Sequence, residues 1–371
     1  MDNFLIHFST NDSMIPTFRK TSSLLLVMLL TSGCNSIGPN YLRSTHPLYN
    51  AAIVDSINEQ FLNNLVRLHY RDPTFFLDVA NVAATVKLGV NGSIAGQVDT
   101  DTPLTLGADT SYEIYPTISY APLQGEDFVK SLLSPISIDA LLALTGSGWS
   151  LKRVFGLCVE RINGIQNAPS ASGPTPAKAP KHFEDWNHLI EVFNRLEEDH
   201  LIEARLDPKT KTLKVEFQST PEHEADIREI KSLLKLDQKL SVFNIEGDSI
   251  ERSADTIRII TRPLMSTFFY LSHRVDAPEE HQKSGWVIVT KNEDGSTFDW
   301  GQTPAGKLFH IKVSEDKPEN AFVAIPYESH WYYITKDDLE SKSTFLLLTQ
   351  LFRLQAGAAK SIGPTLTIPV R

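Results

Sequence analysis

Ala321-Phe322-Val323-Ala324-Ile325 and His330-Trp331-Tyr332-Tyr333-Ile334 are two β-rich runs joined by Pro326-Tyr327-Glu328-Ser329. Successive side chains of a strand point to opposite faces, so Trp331 and Tyr333 share one face while His330 and Tyr332 share the other. Runs joined this tightly pair antiparallel, because a parallel pair needs a long crossover. One face of the pair is then core, and the other is free to stack a sugar, a peptide or a partner surface. Trp331 and Tyr333 are accordingly candidate ligand-binding residues.

The same alternation recurs outward from this pair. Strands are expected at Thr212–Gln218, Leu240–Ile245, Thr256–Thr261, Gly285–Thr290, Leu308–Val313 and Thr365–Val370. Helices interleave at Phe183–Ala204, Ala225–Leu236, Leu264–Val275 and Leu339–Gln355, where the apolar spacing is helical. Alternating strands beside tight turns point to α+β architecture with mainly antiparallel sheets and packed helices, in preference to a doubly wound parallel sheet.

The first half opens on a helix whose stripe is Ile53, Ile57, Phe61 and Leu65, ended before Pro73. Asn91-Gly92 between two β-rich runs predicts a hairpin turn. Ser111–Tyr120 reads as a strand, and Asp127–Leu133 and Ile138–Leu144 read as helices. Ser150 can cap a further helix running through Ile162 to a stop at Gly164.

Asn167 to Pro180 carries four prolines among small residues, which reads as an exposed, extended linker. The chain therefore divides into a signal peptide (1–33), a tether (34–48), an N-terminal α+β domain (49–165), a Pro/Ala/Ser linker (166–182) and a C-terminal α+β domain (183–371). With 45 acidic against 35 basic residues the net charge is −10, which gives no electrostatic footprint for nucleic acid. Two cysteines in 371 residues build no disulfide framework. Cys158, in an apolar helical setting, reads as a buried small hydrophobe.

Arg19-Lys20, the apolar run Leu24–Leu30 and Thr31-Ser32-Gly33-Cys34 follow the order of a secretory signal. The apolar run is shorter than the roughly 20 residues that span a bilayer. The segment resembles the lipobox of bacterial lipoproteins, with Thr31 standing where Leu is more usual. The resemblance implies a diacylglycerol on Cys34, removal of the preceding peptide, and membrane attachment through that lipid. Asn35, in place of an Asp, implies the outer membrane. Met14 begins a better n-region than Met1 does. Asn58–Asp72, Pro122–Phe128, Ser341–Phe345 and Leu366–Pro369 also resemble a group of uncharacterised bacterial exported proteins, and that likeness carries no activity.

Few residues suggest chemistry. Arg67 and Arg71, spaced i,i+4 on one helical face, could clamp an anionic ligand, or could simply complement the carbonyl end of the helix. The eleven histidines lack metal-ligand spacing. Glu279-Glu280-His281 adjoin after Pro278, but adjacent residues seldom converge on one ion and the proline suggests a solvent loop. No metal and no cofactor are expected. Gly146-Ser147-Gly148 reads as a helix-to-helix turn, and Asn292–Ser296 as a tight turn. These readings favour a lipid-anchored, non-enzymatic binding or assembly component of the envelope, with an envelope protein as its partner. The alternative is an envelope-polymer hydrolase whose acidic and histidine groups meet only in three dimensions.

Overall fold

The computed structural model describes residues 47–95, 105–174, 178–181, 183–247, 253–358 and 366–369. The lipobox, Cys34 and both candidate start residues lie outside them. Contacts divide the chain into two compact units, Met1–Ile57 and Asn58–Arg371.

In chain order the elements are helix α1 (47–70), strands β1 (Phe76–Ala95) and β2 (Thr105–Leu123), helices α2 (Glu126–Leu133), α3 (Ile138–Gly146) and α4 (Leu151–Cys158), then strands β3 (Val159–Ile162) and β4 (Ile165–Gln166). Next come α5 (Glu184–Glu198), β5 (Ile202–Leu206), β6 (Leu213–Phe217), α6 (Glu224–Leu233), β7 (Val242–Glu246) and β8 (Thr256–Thr261). The chain continues with α7 (Leu264–Ser272), α8 (Glu279–Lys283), β9 (Lys312–Ser314), β10 (Ala321–Tyr327), β11 (His330–Thr335), α9 (Leu339–Ala358) and β12 (Leu366–Pro369).

The class is α+β, as the alternating pattern requires. Three sheets form among the described residues, ordered β1-β2-β12, β10-β11-β9 and β4-β3-β8-β7-β6-β5. Every pairing is antiparallel except β7 with β8. The Ser150 hydroxyl accepts from Arg153 N and caps α4. One aromatic core joins Phe61, Phe76, Phe268 and Phe352, with Phe352 only 6% exposed and its ring 4.8 Å from that of Phe76.

Four local readings are corrected. Asn91-Gly92 makes no turn, because β1 runs straight through it and pairs Asn91 with Asp109 and Gly92 with Ala108. The ladder with β2 outweighs the local preference. The helix from Ser150 stops at Cys158 and the chain turns directly into β3, which pairs with β8. Likewise α5 ends at Glu198, leaving Ile202–Leu206 free to pair with β6. Gly285–Thr290 forms no strand and instead walls a cavity with Val287–Thr290.

The expected linker is the largest correction. Asn167, Ala168 and Ala171 are buried, and Pro169 opens a short 3-10 turn through Ser172. The cause lies in Arg262, itself fully buried. It donates to the carbonyls of Leu157 (3.3 Å), Val159 (2.9 Å), Asn167 and Ala168 (3.4 Å) and to Ser172 Oγ (2.9 Å). The Asn167 amide closes the set by donating to Gly156 O at 2.9 Å and Val159 O at 2.8 Å. A buried guanidinium must fill its donors, and the small residues of 167–172 bring backbone carbonyls close enough to do so. β3 before the 166–182 segment and β8 after it share one sheet.

Candidate functional site

The end of α1 distributes Arg67 to Asp72 over separate tasks. Arg71 turns left-handed, with φ 63°, and Asp72 N donates to Arg67 O at 2.8 Å, closing the helix before Pro73. Arg67 donates to Pro73 O at 3.1 Å, so it braces the turn. Arg71 is exposed and lines a cavity of about 430 Å³ together with His69. The proposed clamp of Arg67 and Arg71 is therefore not assembled, because the two arginines face different surroundings.

The cavity also takes residues from the segments around His273–Ala277, Val287–Thr290 and Thr297–Trp300. His69 Nδ1 lies 2.9 Å from Ser272 O. A carbonyl only accepts, so Nδ1 carries the proton and Nε2 presents a lone pair. That Nε2 is buried without a hydrogen-bond partner. Burial, opposed by the Ser272 carbonyl and by Asp276, lowers the His69 pKa to about 4, which keeps the ring neutral near pH 7. Burial likewise lowers His273 to about 4, while its Nε2 meets Ala171 O at 3.1 Å and its ring stacks on Trp300 at 4.4 Å.

Trp300 is fixed from behind. Thr303 Oγ1 donates to Trp300 O at 2.8 Å, and a Cβ on Gly306 would lie 1.8 Å from that same oxygen, so only glycine fits there. At Gly301 an added Cβ would meet Asp299 Oδ1 at 3.0 Å and an Arg274 terminal nitrogen at 3.2 Å, which puts both charged groups against one turn. Arg274 Nε is buried without a hydrogen-bond partner. His310 Nε2 lies 2.8 Å from Asp276 Oδ1, off the line of a hydrogen bond, beside the same wall.

Chemically, the cavity offers Arg71 and Arg274 as permanent cations, the carboxylates of Asp276 and Asp299, a neutral imidazole that can only accept at Nε2, and the Trp300 side chain. These suit a small anion that also carries a hydroxyl or amine donor.

A second cluster sits on the next face of α1. Tyr70 Oη lies 2.6 Å from His281 Nδ1 and 2.5 Å from Tyr332 Oη. Burial raises the pKa values of Tyr70 and Tyr332, so both phenols are protonated near neutrality. His281 stacks on Trp286 and sits edge-on to His330, and Glu280 Oε1 lies 3.7 Å from Nε2 of each imidazole. The expected solvent loop after Pro278 is thus the helix α8 with a buried histidine, 4% exposed.

Tyr332 is fully buried, whereas Trp331 and Tyr333 are half-exposed on the opposite face. The Lys317 ammonium covers the Trp331 ring at 5.1 Å, and Tyr333 pairs with Ala324 and Lys312. Neither joins the cavity. Cys158 is a buried thiol whose pKa burial pushes up to about 12. His69, His273, Arg274 and Trp300 carried no sequence signal, because they come from separate segments and no local spacing relates them. The chain matches no family profile, no curated protein and no solved structure.

Proposed function

We propose that this protein is a lipid-anchored lipoprotein of the bacterial envelope, attached to the outer membrane through Cys34, whose folded body captures a small anionic ligand and presents it to an envelope partner. The cavity beside the end of α1 carries the reading. It combines two cations, Arg71 and Arg274, for an anionic group with acceptors for the ligand's own donors, the orphaned, buried Nε2 of His69 and the carboxylates of Asp276 and Asp299. Leaving a polar group buried and unpaired costs roughly 1–3 kcal/mol, and a bound donor removes that cost. Catalysis is not part of this reading.

Thermal melts with a panel of small hydroxycarboxylates, sugar acids and phosphate monoesters test it. At a hundredfold excess over its Kd a ligand stabilises by about 2.7 kcal/mol. Arg71→Ala and Arg274→Met should abolish the shift. No shift with any member of the panel, or the same shift in both variants, refutes the cavity as the ligand site. The anchor is tested separately by labelling with a palmitate analogue, which Cys34→Ser should lose and Cys158→Ser should keep.

One observation favours a second reading, an envelope-polymer hydrolase. Asp276 beside His310 is a histidine–carboxylate pair at the cavity wall. Release of soluble fragments from purified envelope polymer, abolished by Asp276→Asn, would favour it over capture.

A further inference from the structure

We propose that Glu280, His281 and His330 form a binding site for a divalent first-row transition ion, zinc being the best match, with three protein ligands and an open fourth position. The site is separate from the anion cavity and does not rest on that reading. Among the described residues these three bring one ligand atom each within 4.8 Å of one another.

The donor set is the first argument. Two imidazoles and one carboxylate are borderline ligands that suit zinc, and three protein ligands leave a position for water or a ligand. The orientation of the rings is the second, and it is independent of proximity. His330 Nδ1 lies 3.0 Å from Glu328 O, a carbonyl that can only accept, so the neutral ring keeps its proton there and turns the Nε2 lone pair toward Glu280. His281 Nδ1 is held by Tyr70 Oη at 2.6 Å, and Tyr70 in turn meets Tyr332 Oη at 2.5 Å. Tyr70 thereby holds the His281 ring in place, and a metal ion on Nε2 would put the ring proton on Nδ1, where Tyr70 Oη can accept it. Metal-bound histidines are fixed in this way, by a hydrogen bond from the other ring nitrogen to a carbonyl or similar acceptor.

Burial is the third argument. The His281 side chain is 5% exposed and its ring is clamped against Trp286 at 4.5 Å, yet its Nε2 has only the 3.7 Å approach of Glu280 Oε1. A rigid, desolvated imidazole nitrogen aimed at a second imidazole and a carboxylate has few purposes other than a cation. Ligand atoms around tetrahedral zinc stand roughly 3.3 Å apart, from bond lengths of about 2.0–2.1 Å. The 3.7 Å separations must therefore close by about 0.4 Å. Glu280, with 69% of its side chain exposed, has the freedom to move in, and the two imidazole nitrogens, within 4.8 Å of each other, close on the ion with it.

The chain order explains why spacing alone missed it. Glu280 and His281 adjoin on α8, but the third ligand comes from β11, and the register of β11 that buries Tyr332 against Tyr70 is what presents His330.

The test uses the full chain, stripped with chelator and dialysed. Calorimetric titration with Zn(II), and optical titration with Co(II) in its place, should show one ion per chain with micromolar or tighter affinity. Glu280→Gln and His330→Gln should each weaken binding at least roughly tenfold. Both change partly exposed side chains, so the folded state is retained and can be verified by circular dichroism. Glu279→Gln, whose partner is Lys283, should bind as the native chain does. No uptake by the native chain overturns the assignment, and so does uptake that both variants preserve.

Discussion

Arg262 and Arg274 are both arginines of the same folded unit, twelve positions apart, and they answer opposite physical questions. Arg262 is fully buried and its donors reach four carbonyls and a hydroxyl, with the Tyr270 ring 4.3 Å from the guanidinium carbon. Arg274 reaches the wall of a cavity with its buried Nε unpartnered, beside a His69 Nε2 in the same condition. The first arrangement satisfies every demand that burial makes, and so belongs to the fold. The second leaves demands open where a ligand can enter. The contrast separates a polar group that holds the chain together from one that waits for something outside it.

The largest expected effect tests the satisfied side. Arg262→Met removes the donors while leaving the carbonyls of Leu157, Val159, Asn167 and Ala168 in a dry interior. Urea denaturation should show a loss of roughly 3–5 kcal/mol, and limited proteolysis should open the 167–173 segment that the native chain protects. A loss below about 1 kcal/mol would mean that the hub is dispensable and that another contact holds this segment in.

Acid should act next. The imidazoles of His69 and His273 have folded-state pKa values near 4 against 6.5 in the unfolded chain. Between those values the unfolded state binds more protons, so stability falls as the pH drops from about 6.5 to about 4, and the contribution is intact above that window. A shift of 2.5 units corresponds to about 3 kcal/mol for each ring, less for the pair if they titrate together. Urea midpoints at pH 7, 5.5 and 4 read this directly, and His69→Gln should flatten part of the slope. A profile that is level across the window, or steeper in His69→Gln, would deny that the rings are buried neutral.

Cys158 gives a smaller effect on the satisfied side. Its thiol, buried and pushed up to about 12, should resist a disulfide reagent in the native state and react only once denaturant opens the helix. Rapid labelling without denaturant would place α4 near a surface.

Much of this architecture was legible because periodicity reports burial. The β10 and β11 pair, Thr256–Thr261, the helix from Leu339 and the Ser150 cap all lie where alternation, helical stripes and capping chemistry put them. The failures have one physical form, in which a local signal lost to a distant partner. Asn91-Gly92 lost its turn to the ladder with β2. The proline-rich segment lost its exposure to Arg262, ninety-five positions from Asn167. Of the cavity, Arg71 alone was singled out, since it stands on a helix end whose stop Pro73 announces, and of the second cluster Glu280 and His281 were noticed as neighbours but set aside because adjacent residues seldom converge on one ion. His69 was passed over beside it, and Arg274, Trp300, His281 and His330 acquire meaning only when α1, α8, β11 and the turn at Gly306 are folded together.

The contrast between the two arginines is tested most directly by one further denaturation curve, that of Arg274→Met in the absence of added ligand. Methionine keeps much of the aliphatic stem and removes a nitrogen that has no partner, so the variant should unfold within about 0.5 kcal/mol of the native chain. A loss of several kcal/mol, comparable with Arg262→Met, would make Arg274 a structural residue and contradict the assignment of the cavity to a ligand.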